Sequence, residues 1–265
     1  MKKTIRRIVP VMLVFVALTT LSFMAKDGVT LRLRPQQDKT YTATSKANMM
    51  TMMEVQGQTM NMSQVYETRQ SFTAKEVTDN QSIFEAQVEA IKMSISQMGM
   101  KLEYDSEHPE KTSPMLAGQT KEMEKTIKKP VTITYDALGN FIIPSDSIDV
   151  FENQMRDVVI PFPENELTVG SKWNAEKTQS ISNKEITMNM EYTVTAISKK
   201  SVDVSFTGTV ESPDLTGTYN GTASINPQTG LMTNGTTKSN LSMTINEQGL
   251  SIPTTIVSTS TIEVK

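Results

Sequence analysis

Methionine is the residue type whose spacing in this chain could do chemistry. The sequence holds 19 methionines and no cysteine, and many of the methionines cluster: Met49, Met50, Met52 and Met53, then Met60 and Met62, then Met93, Met98 and Met100, then Met188 and Met190. In a β-strand a Met-x-Met pair sets both thioethers on one face, with Cα atoms about 7 Å apart. Soft thioether sulfur suits Cu(I), so three such pairs together with the Met49 to Met53 cluster could build a trigonal sulfur site in one sheet. The same side chains also serve as adaptable apolar filler, or line a pocket that accepts ligands of varied shape. The alternation in Met60-Asn61-Met62-Ser63 fits the apolar use, and histidine, the usual companion of Met in copper motifs, occurs once, at His108. The apolar use is the stronger reading. It gives Met60, Met62, Met93, Ile95, Met188 and Met190 as candidate ligand-binding residues and assigns no metal site.

Other chemistry has less material. Without cysteine there are no thiol nucleophiles, iron–sulfur clusters or thiolate zinc sites. His108 stands in a Glu-His-Pro turn without a partner for a Ser-His-Asp arrangement. Asp146, Asp149 and Glu152 would share one side of a helix, with Asp157 further along. Such a group can do acid–base work or hold Ca²⁺, but acids in a first helical turn ordinarily answer the helix dipole. No catalytic residue and no cofactor are assigned, and the chain reads as a non-enzyme. Trp173, the single Trp, reads as a strand anchor rather than a sugar platform. Asn220-Gly221 and Asn234-Gly235 predict tight turns between strands. Asp146-Ser147-Ile148 resembles the short acidic-hydroxyl-apolar sequon that some bacterial envelopes O-glycosylate, which marks Ser147 as a modification candidate.

The elements that must position these residues are mostly strands. Apolar and polar residues alternate over 29–34, 82–88, 92–96, 131–135, 192–197, 202–206, 241–245 and 261–264, the mark of half-buried strands. Two segments break the pattern. Residues 119–129 place Met123 and Ile127 at i, i+4 before Pro130, and residues 145–159 repeat apolar residues at Ile148, Phe151, Met155 and Val158. Both spacings predict short amphipathic helices. The halves also echo each other. Thr59-Met60-Asn61-Met62 recurs as Thr187-Met188-Asn189-Met190, Tyr41 and Trp173 each open a strand ahead of it, and the Asp136 to Phe141 turn matches the Asn226 to Leu231 turn in form. This ordered series predicts an internal duplication with its boundary near 160–166.

The first residues predict export. Lys2, Lys3, Arg6 and Arg7 precede an apolar run from Ile8 to Met24, with small residues at Thr20 and Ser22 for a peptidase. A retained membrane anchor is the alternative, since about 17 apolar residues lie at the lower limit for spanning a bilayer. Loss of 1–22 removes four of 26 basic and none of 29 acidic residues, taking the formal charge from −3 to −7. An acidic surface repels phosphate backbones and argues against nucleic acid as a partner. The remaining chain of about 243 residues can bury a core without disulfides.

Two short elements carry a family resemblance: Asp38-Lys39-Thr40-Tyr41, and Phe162-Pro163 followed by Val169-Gly170-Ser171-Lys172-Trp173. On these the chain resembles a family of secreted bacterial domains of unknown function, β-rich and loosely similar to half-barrels that cradle lipid or lipoprotein acyl chains. The resemblance implies fold and location, and no functional residue.

The expected fold class is mainly β: two related antiparallel lobes, half-barrel or sandwich-like, with two short helices. The expected parts are a signal peptide over 1–22, an N-terminal lobe with both helices over 23–160, and a C-terminal lobe over 161–265. The expected role is non-catalytic, in the periplasm or outside the cell. It is the binding of an apolar or lipid-like ligand, with an interaction module for an envelope protein as the alternative and Met-based copper binding behind both. A carrier would show a continuous apolar cavity, and an interaction module a filled interior with an exposed apolar patch or a free strand edge. The intact mass of protein taken from its host envelope should correspond to loss of residues 1–22. A mass that retains them would establish the anchor instead.

Overall fold

The computed structural model describes residues 28–142, 158–181, 184–212, 215–247 and 250–265. The β-branched and polar alternation builds one open antiparallel sheet of 12 strands. In chain order these are β1 (Thr40–Val55), β2 (Gln58–Val77), β3 (Gln81–Gln97), β4 (Met100–Asp105), β5 (Val131–Asp136), β6 (Phe141–Ile142), β7 (Lys172–Ile181), β8 (Lys184–Ile197), β9 (Val202–Ser212), β10 (Leu215–Ile225), β11 (Met232–Glu247) and β12 (Leu250–Val264). The spatial order is β6-β5-β3-β2-β1-β12-β11-β10-β9-β8-β7, with β4 on the same edge of β3 as β5. Two meanders are thus joined at the centre by β1 and β12, from Ala43 opposite Val264 to Met53 opposite Thr254. The expected lobes therefore share one continuous sheet.

Tight turns set the register. Gln56-Gly57 and Met98-Gly99 each place two successive residues at positive φ, 51° and 77°, then 50° and 80°. That geometry matches the strand twist across a two-residue hairpin. The Asn-Gly pairs do not mark turns. Asn220-Gly221 lies inside β10 and Asn234-Gly235 inside β11, because the glycines make room for large neighbours across the sheet. A Cβ on Gly221 would come within 2.5 Å of Phe206 Cζ, one on Gly217 within 2.5 Å of Leu241 Cδ2, and one on Gly208 within 2.2 Å of Met190 Sδ.

One face carries the core, in two clusters. The first gathers Tyr41, Phe72, Phe84, Val88, Ile91, Met93, Tyr104, Ile133 and Tyr135, with the second centred on Trp173, Met188, Met190, Tyr192, Val194, Val204 and Ile225. One helix, α1 (Ala117–Thr126), covers part of the first cluster through Met123, and Ile127 then turns extended to bridge Val88. The segment predicted as a second helix falls largely outside the described residues, and Ser147 with it. Its last residues, Val158 and Val159, are buried in the first cluster.

Residues 29–34, predicted as a strand, join the sheet nowhere. They form only an isolated bridge between Val29 and Leu167. The alternation instead serves two cores at once: Leu31 and Leu33 are both fully buried, Leu31 in the second cluster and Leu33 in the first. Residues 158–167 do the same, with Val158 and Val159 in the first cluster and Ile160, Phe162 and Leu167 in the second. These two straps are held by matching devices. The Leu33 amide donates to Ala137 O at 2.9 Å and the Arg34 amide to Thr229 O at 2.8 Å, while the Phe162 amide donates to Leu138 O at 2.7 Å. Arg32 Nη2 adds a bond to Glu164 O at 2.9 Å, joining one strap to the other. The accepting turns are the two matched in sequence. Asp136 Oδ1 accepts from the Leu138 and Asn140 amides, and Asn226 Oδ1 accepts from the Gln228 amide. Each ends on a positive-φ glycine against a strap, Gly139 on Ile160 O and Gly230 on Arg32 O.

At a bulge in β3, between the partners of Arg69 and Gln70, Glu89 accepts from Ser71 Oγ at 2.6 Å and from Gln87 Nε2 at 2.7 Å. These bonds hold its carboxyl below the ordinary 4.5, against a smaller upward push from partial burial. A carboxyl depressed by folding contributes stability that is present above its unfolded pKa and is lost as pH falls through the folded value. Ser71→Ala should therefore cost stability near neutral pH and progressively less as the pH is taken below 4.5. Urea unfolding at both pH values checks this, and an equal cost at each would refute it. Gly230→Ala combines φ +70° with a Cβ 2.3 Å from Arg32 O, whereas Gly57→Ala has φ +77° in open space. Urea midpoints should show about 1 kcal/mol lost at Gly57 and about 3 kcal/mol or more at Gly230.

Candidate functional site

Strict pairing lays the core-facing side chains in rows across the sheet. One row runs Ile95, Gln64, Met49, Ser258, Ser239, Tyr219, Gly208, Met190. The next, nearer the hairpin turns, runs Gln97, Met62, Thr51, Ile256, Leu241, Gly217, Val210. Beyond it lie Met60, Met53, Thr254, Met243 and Leu215. At the strap end this face is buried under residues 29–35 and 158–167. Toward the turns it is a half-buried tract of Met49, Met53, Met60, Met62, Ile95, Met243 and Ile256. Between the two cores runs a hydroxyl seam, with Ser45 Oγ and Thr68 Oγ1 at 2.6 Å and Ser239 Oγ and Ser258 Oγ at 2.7 Å.

The six candidate residues all lie on this one face but divide by environment. Met93, Met188 and Met190 are buried members of the two cores. Met60, Met62 and Ile95 are half-buried on the open tract. The Met60 and Met62 pair lies on β2 and the Met188 and Met190 pair on β8, six strand steps apart, about 29 Å along the sheet at ~4.8 Å per step. Met98 and Met100 sit at an exposed turn. The three Met-x-Met pairs therefore do not converge, and a sulfur site built from all of them has no geometry here. Met53 directly opposite Met60 is the closest pairing on the tract, and sequence reasoning missed Met243 and Ile256 because only the register brings them beside it.

Of the candidates, Met93 lines a cleft of about 270 Å³ together with Val65, Lys92 and Tyr104. The void against Phe72, Phe84, Ile133, Tyr135 and Val159 is about 10 Å³, about the room of one water, so the first core is filled. A cleft of about 560 Å³ lies where β1, β11 and β12 meet, lined by Thr44, Lys46, Asn234 and Glu263 and by the apolar Ile262 and Val264, none of them a candidate. Thr44 and Lys46 alternate with Ser45 and Ala47, which places the cleft on the opposite, polar face.

That polar face is organised by charge. Lys46, Glu67, Lys92 and Asp105 stand directly opposite one another on β1 to β4. Lys46 Nζ meets Glu67 Oε1 at 2.6 Å, and Lys92 Nζ meets Asp105 Oδ2 at 3.1 Å. Desolvation pushes the Asp105 carboxyl up, but the Glu107 amide and the Lys92 ammonium outweigh it and leave it below its ordinary value. These exposed pairs contribute little energy and keep the face wet. On the inner face, burial pushes the Tyr66 phenol up, so it stays neutral beside Met93. Among the described residues no group of three or more His, Asp or Glu could hold a metal ion. His108 is exposed, with Nδ1 3.5 Å from Glu110. Trp173 stacks on Tyr192 at 5.1 Å and donates from Nε1 to Pro161 O at 2.9 Å, while Tyr41 Oη accepts from the Gln36 amide at 3.0 Å. Both aromatics anchor a strap to the sheet.

No curated protein matches the chain. Among solved structures, lipovitellin, from a study of its lipid–protein interactions, has a similar fold at TM-score 0.51 and 13% identity. The match covers 87% of this chain and 25% of that one, so the chain spans about a quarter of the length of lipovitellin. An outer membrane channel from Pseudomonas putida F1 aligns over 90% of this chain and 98% of that one at TM-score 0.29 and 8% identity, too low to carry an argument. Residues 145–232, which include β7 to β10, match a sequence family described as "Family of unknown function (DUF6263)". The chain is thus similar over about a third of its length to a family of unknown function, and in its fold to lipovitellin.

Proposed function

We propose that this is an exported, non-catalytic protein of the bacterial cell envelope that holds an apolar or lipid-like ligand on the open methionine tract. One observation carries the reading: Met49, Met53, Met60 and Met62 lie half-buried on one face and belong to neither core cluster, with Ile95, Met243 and Ile256 beside them at the margins of the cores. A folded chain seldom leaves so many large apolar side chains half-covered unless something else lies on them. Methionine is unbranched and polarizable and conforms to ligands of varied shape. The large antiparallel sheet is shared with lipovitellin, whose structure is one of lipid–protein interactions, which supports a lipid-like ligand here. The matching strap anchors and Asx–Gly turns support the duplicated, two-lobed organisation expected from sequence.

A protein-interaction role is favoured by one feature. Strand β7 pairs only with β8 among the described residues, leaving an edge for strand addition. Lys172 and Glu176 on that strand guard against such pairing, so the methionine tract remains the stronger site.

The delipidated protein should bind a fluorescent C16 fatty acid saturably. Met60→Thr with Met62→Thr should weaken binding about tenfold or more and leave the unfolding midpoint within a few degrees. Met188→Thr with Met190→Thr should instead cost stability, about 2–5 kcal/mol for each buried truncation. No saturable binding by the parent protein, or binding indifferent to the Met60 and Met62 pair, would remove the reading.

A further inference from the structure

We propose that the hairpin tips at the open end of the methionine tract dock on the surface of a lipid bilayer. This goes beyond ligand binding and uses different residues, so the two can fail separately. The β1–β2, β3–β4 and β11–β12 connections all lie at one end of the sheet: Val55 is opposite Gln58, Gln97 opposite Met100 and Glu247 opposite Leu250. That rim carries exposed apolar side chains. Met98 is 77% and Met100 54% exposed on the β3–β4 tip, and Leu250 is 48% and Ile245 37% exposed toward the β11–β12 tip.

The β3–β4 turn is built against its own preference. Met98 occupies φ 50°, a left-handed position that favours Gly, Asn or Asp and disfavours long side chains. Its side chain contributes to neither core. A conformation kept at a cost, holding an apolar side chain in solvent, points to an external partner.

The character of the rim selects the partner. No charged residue occurs from Val55 to Met62 or from Met93 to Met100, so both tips can enter an interface without desolvating an ion. The apolar groups are spread over separate hairpins rather than gathered in one patch. Strands β3 and β11 lie four steps apart, about 19 Å along the sheet at ~4.8 Å per step. Separated apolar points, uncharged on the β3–β4 tip and with Glu247 the one acid on the β11–β12 tip, suit insertion among headgroups and acyl chains better than a shaped protein surface. The rim is also continuous with the tract through Met53, Met60 and Met62, which places a bilayer at the open end of the ligand face.

Flotation with phosphatidylcholine vesicles tests this. The full chain should float with the vesicles, equally at 0.1 and 1 M salt, the values chosen so that charge attraction is largely screened at about 1 M. Met98→Ser with Met100→Ser should reduce the floated fraction about tenfold while leaving fatty-acid binding in solution unchanged. Met115→Ser, at a side chain 69% exposed away from the tips, should float as the parent does. Flotation unchanged by the Met98 and Met100 pair, or seen only with anionic lipid and abolished by salt, would overturn the proposal. A parent protein that binds fatty acid in solution yet does not float would also overturn it, leaving the ligand reading intact. Flotation that needs Met98 and Met100 without any fatty-acid binding would support the docking and remove the ligand reading instead.

Discussion

The structure depends on burying two short straps against a sheet that is too wide to cover itself. The twelve described strands belong to one sheet, whose apolar face needs cover. Residues 29–35 and 158–167 supply the missing layer, and each reaches both cores. Leu31 and Leu33, two residues apart, are fully buried in different clusters. The Leu33, Arg34 and Phe162 amides of the straps donate to carbonyls of two Asx–Gly turns. Arg32 ties strap to strap through Pro163 O and Glu164 O. A buried backbone needs such partners, which is why the two turns are shaped alike and why each keeps a glycine where a Cβ would strike the strap.

That coverage ends partway along the strands, and the division explains the methionines. Under the straps, Met93, Met188 and Met190 behave as core residues, with Met190 filling the space left by Gly208. Beyond them, the same residue type on the same face is only half-covered at Met49, Met53, Met60 and Met62. One residue type thus fills fixed space in one half of the face and stays adaptable in the other. The opposite face needs no such device, because its Lys and Glu rows and its threonines are content in water.

Much of the fold was legible because alternation is a local signal. Residues 82–88 and 92–96 are β3, 192–197 lie in β8, and 261–264 close β12. The helix expected over 119–129 appears as α1 at Ala117–Thr126, with Ile127 already extended beyond its end. Alternation misled at 29–34, where the partner of each leucine is a separate core rather than a common face. The Asn-Gly pairs misled because the neighbour across the ladder, Phe206 opposite Gly221, fixes the need for glycine. The site was half legible for the same reason. Met60 and Met62 could be placed on one face from spacing alone. Their separation from Met188 and Met190, and their neighbours Met243 and Ile256, are set by strand order, which no local pattern encodes.

The pairing of β1 with β12 has a consequence for how the molecule is assembled. Thr44 faces Glu263 across the seam, 219 residues away by subtraction of those numbers, whereas the next widest ladder, β3 with β5, joins Gln81 to Asp136. Loop closure over such a span is slow relative to hairpin formation. The two meanders can therefore form early and independently, each with one raw edge. During that interval β1 offers an unpaired row containing Met49, Met50, Met52 and Met53, a template for association with another chain. β12 is synthesised long after β1 and is the strand that closes the gap, so the quality of this protein's folding rests on how quickly β12 reaches its place.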